Sequence, residues 1–268
     1  MSNSGRTFSQ VTVVAGLLFA SCAASAQLFD AVRLNAAAPG KTGGVIGAGA
    51  LGTTRYQGSD EQRTLFVPVI EYQWANGWFA GFGNGVGYNF SKDSALQYGL
   101  RLTFDRGREE SETTALSGMG DIKAKGEAGG FFNFNFASGV SLTSSLRSGS
   151  GNDNNGTIVD LGVAYSTKLN DRLRLSTGVT ASWANSSYMQ EYFGVTPAQS
   201  RSSRYAVYTP NASLRDTRLR IGLTYEVSPR ISVTAGLTSS SLSDEAKRSP
   251  LVRQADTVSG LIILGYAF

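Results

Sequence analysis

Along most of the chain apolar residues recur at every second position, and a period of two predicts β-strands with one apolar and one polar face. Around 172–183, Leu173, Leu175, Val179, Ala181 and Trp183 alternate with Arg172, Arg174, Ser176, Gly178 and Ser182. Around 218–227, Leu219, Ile221, Leu223, Tyr225 and Val227 oppose Arg218, Arg220, Gly222, Thr224 and Glu226. Upstream, Tyr98, Leu100, Leu102 and Phe104 oppose Gln97, Gly99, Arg101 and Thr103. In the last stretch, 256–268, Val258, Ile262, Leu264, Tyr266 and Phe268 share a face. This is the pattern of a barrel's closing strand, whose outer face meets lipid, with Tyr266 and Phe268 at the interface as the aromatic pair on which assembly depends.

Eleven segments read as strands, near 44–54, 64–74, 78–89, 96–105, 122–136, 140–148, 157–168, 172–185, 214–227, 231–240 and 257–268. Bacterial barrels use an even number. The expectation is therefore an all-β, transmembrane antiparallel β-barrel of twelve strands, with Leu28–Asn35 as the twelfth, or ten if one segment is not in the wall. Tight turns fall at 75–77, 137–139, 169–171 and 228–230, and long connections at 106–120, 149–156, 186–213 and 241–256. If the last strand ends in the periplasm, counting back places all the long connections outside. It also places the 75–77 turn outside, an exception to the usual rule, and leaves 55–63 and 90–95 in the periplasm. Between 81 and 87, Gly81, Gly83, Gly85 and Gly87 alternate with other residues, which predicts a bare face against which something packs from inside.

The 268 residues include 41% hydrophobic and 16% charged, with a mild formal charge of +4 spread without a basic block, so nucleic acid is not indicated as a partner. There is no histidine, and Cys22 is the single cysteine. Zinc or haem sites of the usual kinds and His-dependent nucleophilic catalysis are thereby excluded, and no cofactor is expected. Carboxylate-only hydrolysis survives that argument, although no acidic pair stands out at a recognisable spacing. Residues 1–26 read as a signal peptide: Arg6, an apolar core at 11–20 too short to span a bilayer, and Ala24-Ser-Ala26 as a cleavage site. Residues 27–268 then form the barrel. Phe19-Ala-Ser-Cys22 is a weak lipoprotein-like alternative.

Three features invite a chemical reading. Gly47-Ala-Gly49-Ala-Leu-Gly52 matches a dinucleotide-binding spacing, but no helix start follows it, and a glycine-rich strand accounts for it. Inward-facing charges are the second: Arg101, Arg172, Arg174, Arg218, Arg220 and Glu226, with Lys123, Lys125, Arg147, Asp105, Glu127 and Asp160 on the same polar faces. They make either an anion-favouring constriction or a salt-bridged plug, the latter because opposite charges are present to pair. The third is the connection at 186–213, where Tyr188, Met189, Tyr192 and Phe193, followed by Gln199 and Arg201, predict a lid folded over the lumen or a surface for a partner.

Tyr188-Met-Gln-Glu-Tyr-Phe-Gly-Val-Thr-Pro-Ala-Gln-Ser200 resembles the most distinctive segment of the MipA/OmpV family of MltA-interacting outer-membrane proteins. Tyr56-Gln-Gly-Ser-Asp60, Val67-Pro-Val-Ile-Glu-Tyr72 and Leu242–Val252 are similar to other pieces of that family, in the same order. The resemblance implies a non-enzymatic barrel in the outer membrane of a Gram-negative bacterium. It further implies a scaffold whose partners are a lytic transglycosylase and a penicillin-binding murein synthase. A small-solute channel and a surface adhesin or receptor are the alternatives.

Overall fold

The computed structural model describes residues 40–268; the leader with Cys22 and the stretch Leu28–Asn35 lie outside the described residues. Alternation becomes a closed wall of twelve antiparallel strands. They are β1 (Gly43–Thr54), β2 (Gln62–Gln73), β3 (Trp78–Gly81), β4 (Gly85–Asn89), β5 (Leu96–Asp105), β6 (Lys125–Asn135), β7 (Val140–Ser150), β8 (Gly156–Lys168), β9 (Leu173–Ala184), β10 (Ser213–Glu226), β11 (Ile231–Leu242) and β12 (Asp256–Ala267). Every strand pairs with its sequence neighbours, and β1 pairs with β12 to close the ring.

The number twelve is met differently from the expectation. The segment 78–89 is not one strand: the chain reverses at 82–84, and β3 and β4 pair with each other through Trp78–Tyr88 and Gly81–Gly85. Gly85 sits at φ +76°, in the left-handed region that an L side chain rarely adopts, so a glycine is needed where the hairpin turns back. This extra reversal shifts the parity of everything before it. The 74–77 turn joins the other short turns at the end of the barrel that holds Phe268, so the exception disappears. The 55–61 connection, expected among the short turns, lies instead at the end carrying the long loops. Only 90–95 of that pair stays at the short-turn end.

The outer face is largely apolar. Phe66, Leu100 and Leu102 are each more than 60% exposed, and Ile262, Leu264, Leu219 and Val163 are exposed likewise. A contiguous apolar girdle of this extent has no place in water and fits a hydrocarbon surround. Aromatic residues concentrate at the short-turn rim. Trp78, Tyr88, Phe90 and Tyr98 contact one another in series at 5.2–5.9 Å between centroids, and Tyr72 lies beside both Trp74 and Phe268. Such a belt marks the interface between hydrocarbon and headgroups. At the seam, a side chain on Gly47 or Gly49 would sit 2.3 or 2.2 Å from the carbonyl oxygens of Leu264 and Ile262. The Gly47–Gly52 spacing therefore serves close approach of β1 to β12, within a strand.

Candidate functional site

The site is the barrel interior at the loop end, and it is built in two storeys. The lower storey is a ladder of charges on successive strands. Glu127 of β6 bonds Arg147 of β7 at 3.3 Å, and Arg147 bonds Asp160 of β8 at 3.2 Å. Asp160 lies 3.4 Å from Arg218 of β10 and accepts the Ser182 hydroxyl of β9 at 2.6 Å. Arg218 continues to Asp216 at 2.8 Å, and Asp216 to Arg215 at 2.5 Å. On the other flank, Arg101 of β5 donates to Ser145 of β7 at 2.8 Å. Because neighbouring strands are less than 5 Å apart, long guanidinium side chains reach across one or two of them and bind the walls together.

The upper storey is the connection between β9 and β10. Its first helix, α1 (Ser186–Phe193), is capped by Asn185, whose side chain accepts from Tyr188 N. Tyr188, Met189, Tyr192 and Phe193 fall on one face and are buried against Ile122, Ile158, Leu242 and Ala246. The two tyrosine rings stack at 4.4 Å. The Tyr192 hydroxyl donates to Asp105 at 2.5 Å, and Arg215 donates to the Tyr188 hydroxyl at 3.0 Å, which ties the helix to the ladder. Burial pushes both phenols above their usual range, so both stay protonated. A second helix, α2 (Pro197–Ser202), begins with a capping box: Thr196 and Gln199 exchange side-chain bonds with each other's backbone. The Gln199 amide also donates to Met119 O at 2.7 Å, while Arg201 is exposed.

Of the charges expected inside, Arg101 and Arg218 are buried in the ladder, and Arg220 lies just below it, half-buried. Arg174 and Glu226 face inward near the short-turn end, half-buried. Arg172 does not line the lumen: it is exposed, in the turn before β9, because the strand begins one residue later than the alternation. Lys123 is likewise exposed, in the loop ahead of β6. The alternation misses Arg215. A bulge between Leu214 and Asp216 turns two consecutive residues inward, and both are buried. The glycine run at 81–87 is filled by the wall's own side chains: the Phe79 ring covers Gly87, and the Glu71 carboxylate accepts from Gly83 N at 2.7 Å.

Exposure along the strands shows where the interior is filled. In β9, Arg174, Ser176 and Gly178 are half-buried, whereas Thr180 and Ser182 are buried. In β10, Glu226, Thr224, Gly222 and Arg220 are half-buried and Arg218 and Asp216 buried. A vestibule lined by small and hydroxyl side chains, with Arg174, Arg220 and Glu226 among them, thus rises from the short-turn end on the β9–β12 side and stops at the ladder. Among the described residues no cluster of acidic, histidine or cysteine side chains could hold a metal ion.

The model of the family "MltA-interacting protein MipA" matches residues 46–268, from within β1 to the end of β12. The chain belongs to this family. The MltA-interacting protein of Escherichia coli (strain K12) is 28% identical over 227 residues, covering 83% of this chain and 88% of the relative. The MltA-interacting protein of Shigella flexneri matches to the same extent. Among solved structures, the NanC porin aligns over 82% of this chain and 98% of its own, with 10% identity and a TM-score of 0.47. An outer membrane channel from Pseudomonas putida F1 covers 88% and 99%, with 11% identity and a TM-score of 0.46. In the MipA-family chain described here, the capped helix pair corresponds to the segment 188–200 that carried the resemblance.

Proposed function

We propose that this MipA-family barrel is a non-enzymatic outer-membrane scaffold. In this reading it holds a lytic transglycosylase against the periplasmic face of the membrane, with a murein synthase as second partner. The observation that carries the reading is the filled loop end, taken with relatives named for interaction with MltA. Tyr188, Met189, Tyr192 and Phe193 are spent on the interior, so among the described residues Val207 is the one large aliphatic or aromatic side chain that the long loop leaves exposed. The partner surface is then the short-turn rim, at 74–77, 90–95, 136–139, 169–172 and 227–230, where Lys92, Asp93, Asp171 and Arg230 are exposed. The 55–61 connection is not part of it.

The test is affinity capture on the immobilised, refolded barrel. Solubilised envelope proteins should leave a lytic transglycosylase on it, eluted by salt, and Lys92→Glu together with Arg230→Glu should weaken retention. A second reading, a gated solute channel, is favoured by the vestibule of β9–β12. Steady conductance of the intact protein in a planar bilayer, with no transglycosylase retained, would put the channel ahead.

A further inference from the structure

Beneath α1, on the β10–β12 and β1 side, lies a cavity of about 120 Å³. This is far above the ~10–15 Å³ that one water needs, and its mixed lining includes arginine, carboxylate and hydroxyl groups. Its roof is cationic. Arg63 and Arg106 both bond Glu112 and share that one carboxylate. Arg215 and Arg218 both bond Asp216. Arg108 is different in kind. It is 4% exposed, and its one bond is from Nη1 to the carbonyl of Tyr192 at 2.9 Å. Its Nε and Nη2 are buried with no hydrogen-bond partner, and it makes no ion pair among the described residues.

The position of Arg108 is built, not incidental. Gly107 turns the chain at φ +73°, with no room for a side chain beside Ile122 O, and Arg108 then pairs with Ile122 through both backbone bonds. That bridge aims the guanidinium under the lid. A buried guanidinium without an anion costs several kcal/mol, and a fold that keeps one has a use for it. Burial lowers the Arg108 pKa and outweighs the opposite pull of Tyr192, Tyr56, Glu191 and Glu112 around it. The remaining wall of the cavity carries hydroxyls: Thr53, Thr238, Ser240, Thr257 and Ser259. On β11 and β12 these continue the half-buried inward faces that rise from the short-turn end.

We infer that this cavity is an oxyanion site centred on Arg108, taking the phosphate or carboxylate group of a small hydroxyl-rich solute that enters from the short-turn end. The anion would accept from Arg108 Nε and Nη2, bonds strengthened by both charges, while the Ser/Thr wall meets the hydroxyls of the solute. The inference does not depend on the scaffold reading.

The experiment uses the refolded barrel in detergent at constant ionic strength. Inorganic phosphate and glucuronate are titrated separately, with glucose as the neutral control, and both calorimetric affinity and the thermal midpoint are followed. Wild type should bind phosphate or glucuronate saturably and glucose not at all; which of the two anions binds more tightly identifies the group. Arg108→Gln should weaken that binding roughly tenfold or more, as expected for loss of a charge-assisted pair of bonds. Its anion-free thermal midpoint should be equal to or above that of wild type, since a lone buried charge is gone. Arg248→Gln, an exposed arginine on the same loops, should bind as wild type does. If Arg108→Gln does not fold, Glu112→Gln decides, because releasing Arg63 and Arg106 should tighten phosphate binding about threefold or more. Wild type that binds neither anion, or Arg108→Gln that binds as well as wild type, overturns the assignment. A fall in the anion-free midpoint of Arg108→Gln without any anion response would show a strut to Tyr192 instead.

Discussion

Asp160 is the residue on which the interior ladder turns. It is buried and receives Arg147, Arg218 and the Ser182 hydroxyl from three different strands. Asp160→Asn keeps the volume and removes the charge, leaving two buried guanidiniums with less than their share of carboxylate. Breaking buried pairs typically costs about 3–5 kcal/mol, and the low end is expected because Glu127 and Asp216 remain. Urea unfolding of the refolded barrel, followed by the heat-dependent gel shift, should show that loss. Asp171→Asn, in an exposed turn, should change stability by less than about 0.5 kcal/mol. A second residue links stability to pH. The Tyr56 hydroxyl donates to Leu251 O at 2.9 Å, and burial pushes its pKa from 10 up to about 12. The folded state therefore holds this proton more tightly than the unfolded state. The stabilisation is complete below pH 10 and is lost as pH rises through 12. Absorbance titration near 295 nm should show one late-titrating phenol fewer in Tyr56→Phe than in wild type, with those of Tyr188 and Tyr192 retained, and the accompanying fall in melting temperature should be lost with it. At this scale the alternation puts Arg101, Arg218 and Arg220 on the inward faces where the structure also has them. It failed at Arg172, where strand and turn meet, and at Arg215, where a bulge breaks the period that the reading relies on.

The elements differ in how plainly the chain announces them. Long strands with clean alternation were legible to within a few residues. The β3–β4 hairpin was not, because glycine alternation across Phe82-Gly-Asn84 keeps the same period through a reversal as along a strand. The capped pair α1 and α2 was partly legible. Its aromatic residues marked the loop as unusual, and Thr196-Pro-Ala-Gln199 carries the cap signature, a threonine with glutamine three places on and proline first in the helix. What the residues alone could not supply was the inward direction, which rests on distant partners: Asp105, Arg215, Ile122 and Leu242. Deleting 188–201 tests the element as a unit. The wall strands β9 and β10 pair with each other along most of their length and should still form. Conductance in a planar bilayer should rise from baseline to discrete steps, since only half-buried vestibule walls and the ladder remain. Baseline conductance with normal heat-modifiable migration would show that the loop does not govern passage.

At the scale of the whole molecule, closure and sidedness follow from parity. Phe268 closes the ring: its N–H and carbonyl exchange bonds with Gly44 at 3.0 Å, and its ring stacks on Tyr72 in the aromatic belt. Phe268→Asp places a carboxylate among lipid-facing aromatics and should lower the amount of heat-modifiable barrel in outer-membrane fractions several-fold, with the unfolded chain degraded. An even strand number then requires β1 to start at the end where β12 finishes, so 55–61, 82–84, 106–124, 151–155, 185–212 and 243–255 share one end. Counting back through the eleven visible segments misplaced only what precedes the missed hairpin, which is why the long loops were assigned together and 55–63 was not. If the short-turn end faces the periplasm, a transglycosylase can reach the rim and the anion cavity fills from inside the cell envelope. Single cysteines at Asn154 and Asn170, in a Cys22→Ser background, decide this. Both replaced side chains lie in exposed turns at opposite ends. A membrane-impermeant maleimide should label Asn154→Cys on intact cells and Asn170→Cys only after the outer membrane is permeabilised. The reverse result would turn the barrel over, bring the long loops into the periplasm, and move the partner surface onto them.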